Sequence, residues 1–306
     1  MRAKAIVKIC ICGTIALVLA SVLVSLLALP RVLDWKIGDL SFHWIDDHGS
    51  DEGYTVGEAS VSGEVRELDV SWLSGSVTVE LTDGDAVTLR EEPQPESSDA
   101  RMRWKLQDGK LTVYSQKSGL TIPTRAKQLT IGIPAGRAGK LQKLSLDLSA
   151  ASASLPALTL RELELDSVSG SVTLTGGSYE NLDFDSTSGD LTVTDAAVGE
   201  LSADTTSGSL TLDGAFETID FDTTSGALHL TTSILPQDIS CDTVSGGVTL
   251  TLPENGGFSA TLDSVSGDLT VDGFAGSLHR DEFVYGQGGP AYEFDSVSGD
   301  VHIRCA

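Results

Sequence analysis

The sequence predicts an all-β chain: a single-stranded β-solenoid with coils of about 19–21 residues, preceded by one N-terminal transmembrane helix. Three observations predict this architecture. The motif Asp-[Ser/Thr]-[Val/Thr]-Ser-Gly recurs at a nearly fixed spacing, which is the signature of a repeat fold. Apolar and polar residues alternate on both sides of each motif, as in strands with one buried face. Residues 9–29 form an uninterrupted apolar run.

The apolar run carries no charge and is long enough to cross a bilayer as a helix. Arg2, Lys4 and Lys8 precede it, so the positive-inside rule places residues 1–8 in the cytoplasm as a short tail. A signal peptide has a shorter apolar core, about 7–15 residues, and a small-x-small cleavage site. We therefore expect residues 9–29 to be an uncleaved single-pass anchor in the cell membrane, with the C-terminal domain outside the cell.

Residues 30–59 are predicted to be an acidic juxtamembrane linker, because acidic residues and glycines are frequent and no strand or helix period is sustained. Two interpretations are open for its His43, Asp46, Asp47, His48 and Asp51: a metal site, or a solvated acidic segment. The second is favoured because a flexible linker does not hold metal ligands in place.

The extracellular solenoid is predicted to span residues 60–306, with residues 60–145 as divergent opening coils and residues 146–306 as regular repeats. In the opening part, strand pairs are expected around Ser74-Gly75 and Asp83-Gly84, and a hairpin is expected to turn at Asp108-Gly109.

Each regular repeat reads as strand, corner, strand. Beginning with the degenerate copy at Asp147, which has Ala151 in the glycine slot, successive aspartates are 19, 19, 19, 18, 20, 21 and 32 residues apart. Glycine suits the corner because it permits a positive φ and brings no Cβ against the next coil. The predicted structural glycines are Gly170, Gly189, Gly208, Gly226, Gly246, Gly267 and Gly299.

Stacking the coils would align the aspartates in a column with a spacing of roughly 4.8 Å. Charges this close repel, so the column must face water, accept backbone N–H bonds as in an Asx-turn, or bind cations. A surface corner role is favoured, and a calcium-binding ladder is the alternative, although the G-G-x-G-x-D motif of calcium β-rolls is absent. The candidate ladder is Asp166, Asp185, Asp204, Asp222, Asp242, Asp263 and Asp295.

The 32-residue gap before the last motif predicts a hairpin insertion at residues 273–291, turning at Gly286-Gln287-Gly288-Gly289. The insertion is expected to cap the open strand edge at the end of the solenoid, with a binding loop as the alternative.

The net charge of −24 excludes nucleic acid as a partner, because phosphates would be repelled. The four cysteines, Cys10, Cys12, Cys241 and Cys305, match no zinc spacing and are interpreted as small buried residues. A disulfide between Cys241 and Cys305 is compatible with the sequence, which does not require it.

Three parts of the chain carry a family resemblance: "LDVSWLSGSVTVE" followed by "DGKLTVY", the serial "SVSGDLTV" units, and the closing "YGQGGPAYEFDSVSGDVHI". They resemble the bacterial "putative adhesin" or toast-rack family of β-strand-repeat envelope proteins over residues 60–306. The resemblance implies an exported, often membrane-tethered β-solenoid, with relatives beside envelope-stress signalling proteins, chiefly in Gram-positive bacteria. It supplies no catalytic motif.

The sequence favours a non-catalytic protein. Ser169, Ser188 and Ser207 recur with the motif, but no histidine recurs beside them and no G-x-S-x-G elbow occurs. The preferred function is a membrane-anchored adhesin or envelope-binding module with an unidentified extracellular ligand and no cofactor other than the calcium considered above. The alternatives are an accessory of envelope-stress signalling that acts through a membrane-protein partner, and a passive structural surface protein.

Overall fold

The alternating segments of the sequence fold as β-strands in the computed structural model, which describes residues 51–118 and 125–306. The prediction of an all-β chain is confirmed. Within those two ranges, no helix combines the length and the apolar character needed to cross a bilayer. The predictions for residues 1–50, including the tail, the anchor, Cys10, Cys12 and four of the five candidate linker metal ligands, lie outside the described residues.

The strands before the regular repeats mix antiparallel and parallel pairing. The 16-residue β3 runs parallel to β6 and β7, while β5 and β6 form the predicted hairpin at Asp108-Gly109. The strands β1 and β2 pair with β5 and β4, so regular structure begins five residues before the predicted boundary at residue 60. The elements are β1 (Thr55–Val56), β2 (Ala59–Val61), β3 (Glu67–Thr82), β4 (Val87–Glu92), a 3₁₀ turn (Ser98–Ala100), β5 (Arg103–Gln107), β6 (Lys110–Tyr114), β7 (Lys127–Pro134) and α1 (Ala135–Ala138).

The strands of the regular repeats pair in parallel, and most residues lie beside the equivalent residue of the next repeat. Thus Leu163 of β9 lies beside Leu182 of β11, which lies beside Leu201 of β12. Five of these strands form a closed ring of pairings: β8 with β10, β10 with β12, β12 with β11, β11 with β9, and β9 with β8. The ring closes because the long strands β8 and β12 each continue past a corner and pair with a different strand on either side of it. The strands are β8 (Lys143–Leu155), β9 (Thr159–Ser167), β10 (Val172–Thr175), β11 (Ser178–Ser186), β12 (Leu191–Thr205), β13 (Leu210–Thr223), β14 (Leu228–Thr232), β15 (Asp238–Thr243) and β16 (Val248–Leu252).

The core consists of columns of equivalent apolar side chains. In one column Leu165, Phe184, Ala203, Phe221 and Cys241 follow one another, and all are at least 98% buried. The period-two alternation therefore places one apolar side chain per repeat in each column. Cys241 takes a core position as a free thiol, and Cys305 is also free.

Most of the corners are held by the Ser or Thr that follows the aspartate, and this differs from the Asx-turn considered above. The buried hydroxyl of Ser167 accepts a hydrogen bond from the Gly170 amide at 2.9 Å, and Thr223 does the same for Gly226 at 2.8 Å. The corners also bond to one another, as when the Ser188 amide donates to the Val168 carbonyl at 3.0 Å. The aspartate side chain is thereby left on the outer face of the sheet.

The glycines at the corners are required by close packing between repeats, and none of the seven has a positive φ. A Cβ built on Gly189 would lie 2.1 Å from the carbonyl oxygen of Gly170, and one on Gly226 would lie 1.9 Å from that of Gly208. The expectation of a positive φ is therefore wrong at these positions. The steric part of the argument agrees with the structure.

The last repeat is inserted between the two repeats that precede it in sequence. The strand β21 pairs with β15 on one side and β17 on the other, and β22 lies between β16 and β18. The order in space thus places Asp295 between Asp242 and Asp263. The remaining strands are β17 (Gly257–Ser264), β18 (Leu269–Asp272), β19 (Ser277–His279), β20 (Glu282–Gly286), β21 (Ala291–Ser296) and β22 (Val301–Cys305).

The predicted insertion is a hairpin, but it turns at Arg280-Asp281 and not at Gly286–Gly289. Its strand β20 pairs antiparallel with the outer edge of β17, and the glycine-rich segment then carries the chain across the start of β17. Glycine is needed there because a Cβ on Gly286 would lie 2.3 Å from the Gly256 carbonyl oxygen. Phe258, Phe274, Phe283 and Tyr285 pack as an aromatic cluster at this end of the core.

Candidate functional site

Carboxylates line the outer surface of the sheet that contains β9, β11, β15, β21 and β17. The parallel register places the motif aspartates side by side, for example Asp166 beside Asp185 and Asp185 beside Asp204. We call this surface the acidic face. Its central column in spatial order is Asp166, Asp185, Asp204, Asp222, Asp242, Asp295 and Asp263, and the flanking acids are Glu162, Glu164, Asp183, Glu200, Asp220, Asp238 and Glu293.

The central column faces solvent. Asp166, Asp185, Asp204, Asp222 and Asp242 are exposed, while Asp263 and Asp295 are half-buried. Over residues 51–118 and 125–306, no three His, Cys, Asp or Glu side chains are grouped so that they could hold a metal ion. The column is an extended line of charge along the sheet.

Partial desolvation, and after it the neighbouring negative charges, raises the pKa values of the carboxylates in the central column. The partial desolvation of Asp222 between its neighbours raises its pKa to about 7, and the charges of Asp242, Asp204 and Asp220 add to the rise. Desolvation likewise raises the pKa of Asp185 to about 6. The pKa values of Asp166, Asp204, Asp242 and Asp295 are also raised, with desolvation as the largest cause. The acidic face thus gains negative charge as the pH rises through the neutral range.

These pKa shifts predict that the folded chain loses stability as the pH rises from about 4 to about 7. In that window the folded state binds more protons than the unfolded state, whose aspartates titrate near 3.9, so the free energy of unfolding falls with pH. We expect a melting temperature several degrees lower at pH 8 than at pH 5. Asp222→Asn should raise the melting temperature clearly at pH 8 and less at pH 5, where the pH has passed only the first part of that window.

Thermal unfolding followed by circular dichroism between pH 5 and pH 8 tests this prediction. The matched control is Asp83→Asn, which removes one exposed carboxylate outside the acidic face. Equal pH profiles for the two variants would contradict the assignment of the pH dependence to the aspartate column.

The recurring serines are part of the corners. The hydroxyl groups of Ser169, Ser188 and Ser207 donate to backbone carbonyls of the preceding repeat at 3.2–3.3 Å. His302 lies 2.9 Å from Asp272 and is held there, on the outer surface of β22. These hydrogen bonds account for the recurrence of serine at the corners.

A buried ion pair, not anticipated from the sequence, joins β4 to β7. The Lys127 ammonium lies 2.7 Å from the Glu91 carboxylate, and both side chains are at least 95% buried. Lys127 also donates to the Ala100 carbonyl and lies 5.0 Å from the centre of the Trp72 ring, while Glu91 accepts from the Met102 amide. The two charges are thus paired and hydrogen-bonded, as buried charges must be, and they fix the opening strands to one another.

The fold and this surface define an all-β repeat protein with parallel, in-register stacking and a continuous acidic face. The chain belongs to the Toastrack DUF4097 family, whose model matches residues 65–304. The family resemblance stated from the sequence is confirmed.

Several solved bacterial structures are similar to the chain. A "putative adhesin" from Bacteroides fragilis NCTC 9343 is 13% identical with a TM-score of 0.42, covering 83% of this chain and 98% of its own. A "putative lipid binding protein" from Parabacteroides distasonis ATCC 8503 is 15% identical with a TM-score of 0.46, covering 83% and 97%. A "putative adhesin" from Parabacteroides merdae ATCC 43184 is 14% identical with a TM-score of 0.45, covering 83% and 97%. No curated protein matches the chain.

Proposed function

We propose that the chain is a membrane-anchored, extracellular β-solenoid of the bacterial envelope that binds a partner and catalyses no reaction. The observation that carries the proposal is the acidic face, a line of exposed carboxylates repeated once per coil. The seven aspartates of its central column, roughly 4.8 Å apart, would extend over about 29 Å. The apolar residues 9–29 would hold this surface at the cell membrane.

The charge of the face selects the class of partner. A surface this acidic attracts basic protein surfaces and divalent cations, and it repels anionic wall polymers unless cations bridge the two. A partner that spans several repeats would gain from many weak contacts without a deep pocket. We therefore propose a cationic or cation-bridged envelope ligand, with calcium as a bridging ion and not as a bound cofactor.

Binding of the labelled full chain to purified cell wall and to whole cells, with calcium and with chelator, tests the proposal. A variant with Asp185→Asn, Asp204→Asn, Asp222→Asn and Asp242→Asn should lose most of the binding. The matched control removes four exposed acids elsewhere: Asp83→Asn, Asp85→Asn, Glu96→Gln and Glu254→Gln.

The control variant should bind like the unmodified chain. Loss of binding in chelator would indicate cation bridging, and binding that survives in chelator would indicate a basic partner. The absence of saturable binding by the folded chain would overturn the adhesin proposal. That result would favour the alternative function, an accessory of envelope-stress signalling that acts through a membrane-protein partner.

A further inference from the structure

A cavity of about 290 Å³ lies at a corner of the opening strands, away from the acidic face. One wall is the loop Ser62–Val65, between β2 and β3. The other is the segment Arg137–Leu141, between β7 and β8. The guanidinium of Arg137 donates to the Ser62 carbonyl at 3.1 Å and so links the two walls.

The floor of the cavity is apolar. It is formed by Leu68, Val87, Ile133 and Leu141, each at least 94% buried. Ligand pockets in proteins likewise combine apolar walls with placed polar groups, although most are larger, about 300–1,000 Å³. This cavity is therefore suited to a short alkyl chain or to the end of a longer one.

The rim carries two cations, Arg137 and Lys140, and neither forms an ion pair within residues 51–118 and 125–306. The acid that lines the cavity, Glu64, lies 4.0 Å from Arg66. The turn after α1 places both residues at the cavity, and in it the Lys140 amide donates to the Arg137 carbonyl at 2.9 Å. Two such cations beside an apolar cavity stand out in a chain with a net charge of −24.

We infer that this cavity binds an amphipathic anion. The alkyl chain lies against Leu68, Val87, Ile133 and Leu141, and the carboxylate or phosphate head is held by Arg137 and Lys140. A guanidinium recognises either head group through charge-assisted hydrogen bonds, and the lysine adds a second positive charge. The inference does not depend on the proposed function, because the cavity and the acidic face share no residue.

Isothermal titration of the full chain with octanoate and with octyl phosphate tests the inference. Octanol and inorganic phosphate, which carry one half of the ligand each, serve as probes of the separate contributions. Both amphiphiles should bind saturably, and each half should bind at least about tenfold more weakly. A glycerol-bearing monoacyl phosphate then separates a lipid source from a simple alkyl anion.

Variants distinguish binding in this cavity from binding to residues 9–29, an apolar segment to which an alkyl chain could also bind. Arg137→Ala with Lys140→Ala should weaken binding at least about tenfold. Ser62→Trp, which keeps the backbone carbonyl but fills the mouth, should abolish it. The matched control, Arg90→Ala with Arg161→Ala, removes two exposed cations that do not line the cavity and should change affinity less than about twofold.

Melting curves of all variants establish that each is folded. Octanol binding as tightly as octanoate, or unchanged affinity in the Arg137/Lys140 variant, would overturn the inference. Absence of saturable binding to the unmodified chain would do the same.

Discussion

A chain that ends at Pro290 is expected to lose cooperative folding, because the missing residues form an interior layer of the stack. Without β21 and β22, the facing edges of β15 and β17, and of β16 and β18, lose their partners. The buried side chains of Tyr292, Phe294, Val301 and Ile303 are lost at the same time. Truncating one buried aromatic costs about 3–5 kcal/mol, and whole domains are stable by only about 5–15 kcal/mol.

Far-UV circular dichroism during heating and urea titration measures the loss. The truncated chain should show no sharp transition, and the two exposed pairs of strand edges should promote aggregation. A synthetic peptide of residues 287–306, added during refolding, should restore the transition, whereas a scrambled peptide should not. A truncated chain that melts within a few degrees of the full chain would show that the inserted repeat is not an interior layer of the stack.

The strands and their buried faces could be predicted from the sequence because a local signal specifies them. Alternation with period two identifies the buried residues, and the recurring Ser-Gly step identifies the corners. The parallel, in-register pairing also follows, since a repeat of constant length aligns equivalent side chains. These are properties of one repeat and its neighbour, and every copy supplies the same information.

The order of the last repeats could not be predicted, because the repeats are nearly interchangeable as partners. The edge of β15 fits the strand containing Asp263 and the strand containing Asp295 almost equally well by sequence. The choice depends on the hairpin at Arg280-Asp281 and on the glycine crossing at Gly286–Gly289, because β20 and that crossing occupy the outer edge and the start of the distant β17. The 32-residue spacing predicted a hairpin there, but it indicated neither the position of the turn nor the place of the last repeat within the stack.

The candidate sites also differ in whether the sequence predicts them. The acidic face could be predicted because one aspartate recurs in each repeat, and the structure adds the flanking acids and the raised pKa values. The hydroxyl that holds most of the corners was visible in the motif as its second residue, but Asp and Ser or Thr are both good turn formers. The Glu91–Lys127 pair and the cavity beside Arg137 depend on contacts between distant segments that do not repeat, so no periodic signal marks them.

The second large effect is expected from Gly226→Ala. A single methyl group at this corner would lie 1.9 Å from the Gly208 carbonyl oxygen and 2.9 Å from the Thr223 hydroxyl oxygen, which accepts the Gly226 amide hydrogen bond. The contact is with backbone on one side, so two repeats must separate and loosen the bonds between their corners. Overpacking of this kind costs about 1–3 kcal/mol and occasionally more, and we expect the upper end, about 3 kcal/mol.

The conformation of Gly226 makes the experiment specific for close packing. Its φ is not positive, so alanine meets no backbone strain there beyond the contact itself. The degenerate first repeat is informative, because Ala151 occupies the equivalent slot and pairs with Gly75, whose φ is +106°. A methyl group is thus accommodated where the neighbouring layer has a different backbone path.

Thermal unfolding compares Gly226→Ala with Gly256→Ala, whose added Cβ would have no atom within 4 Å and whose φ is also not positive. The first variant should melt about 6–12 °C lower than the unmodified chain, at about 2–4 °C for each kcal/mol. The second should melt within about 2 °C of it, because exposed substitutions without new contacts change stability little. Similar losses in both variants would show that the loss does not depend on contact between neighbouring corners, and would remove the close approach of the corners as the reason that glycine recurs in every regular repeat.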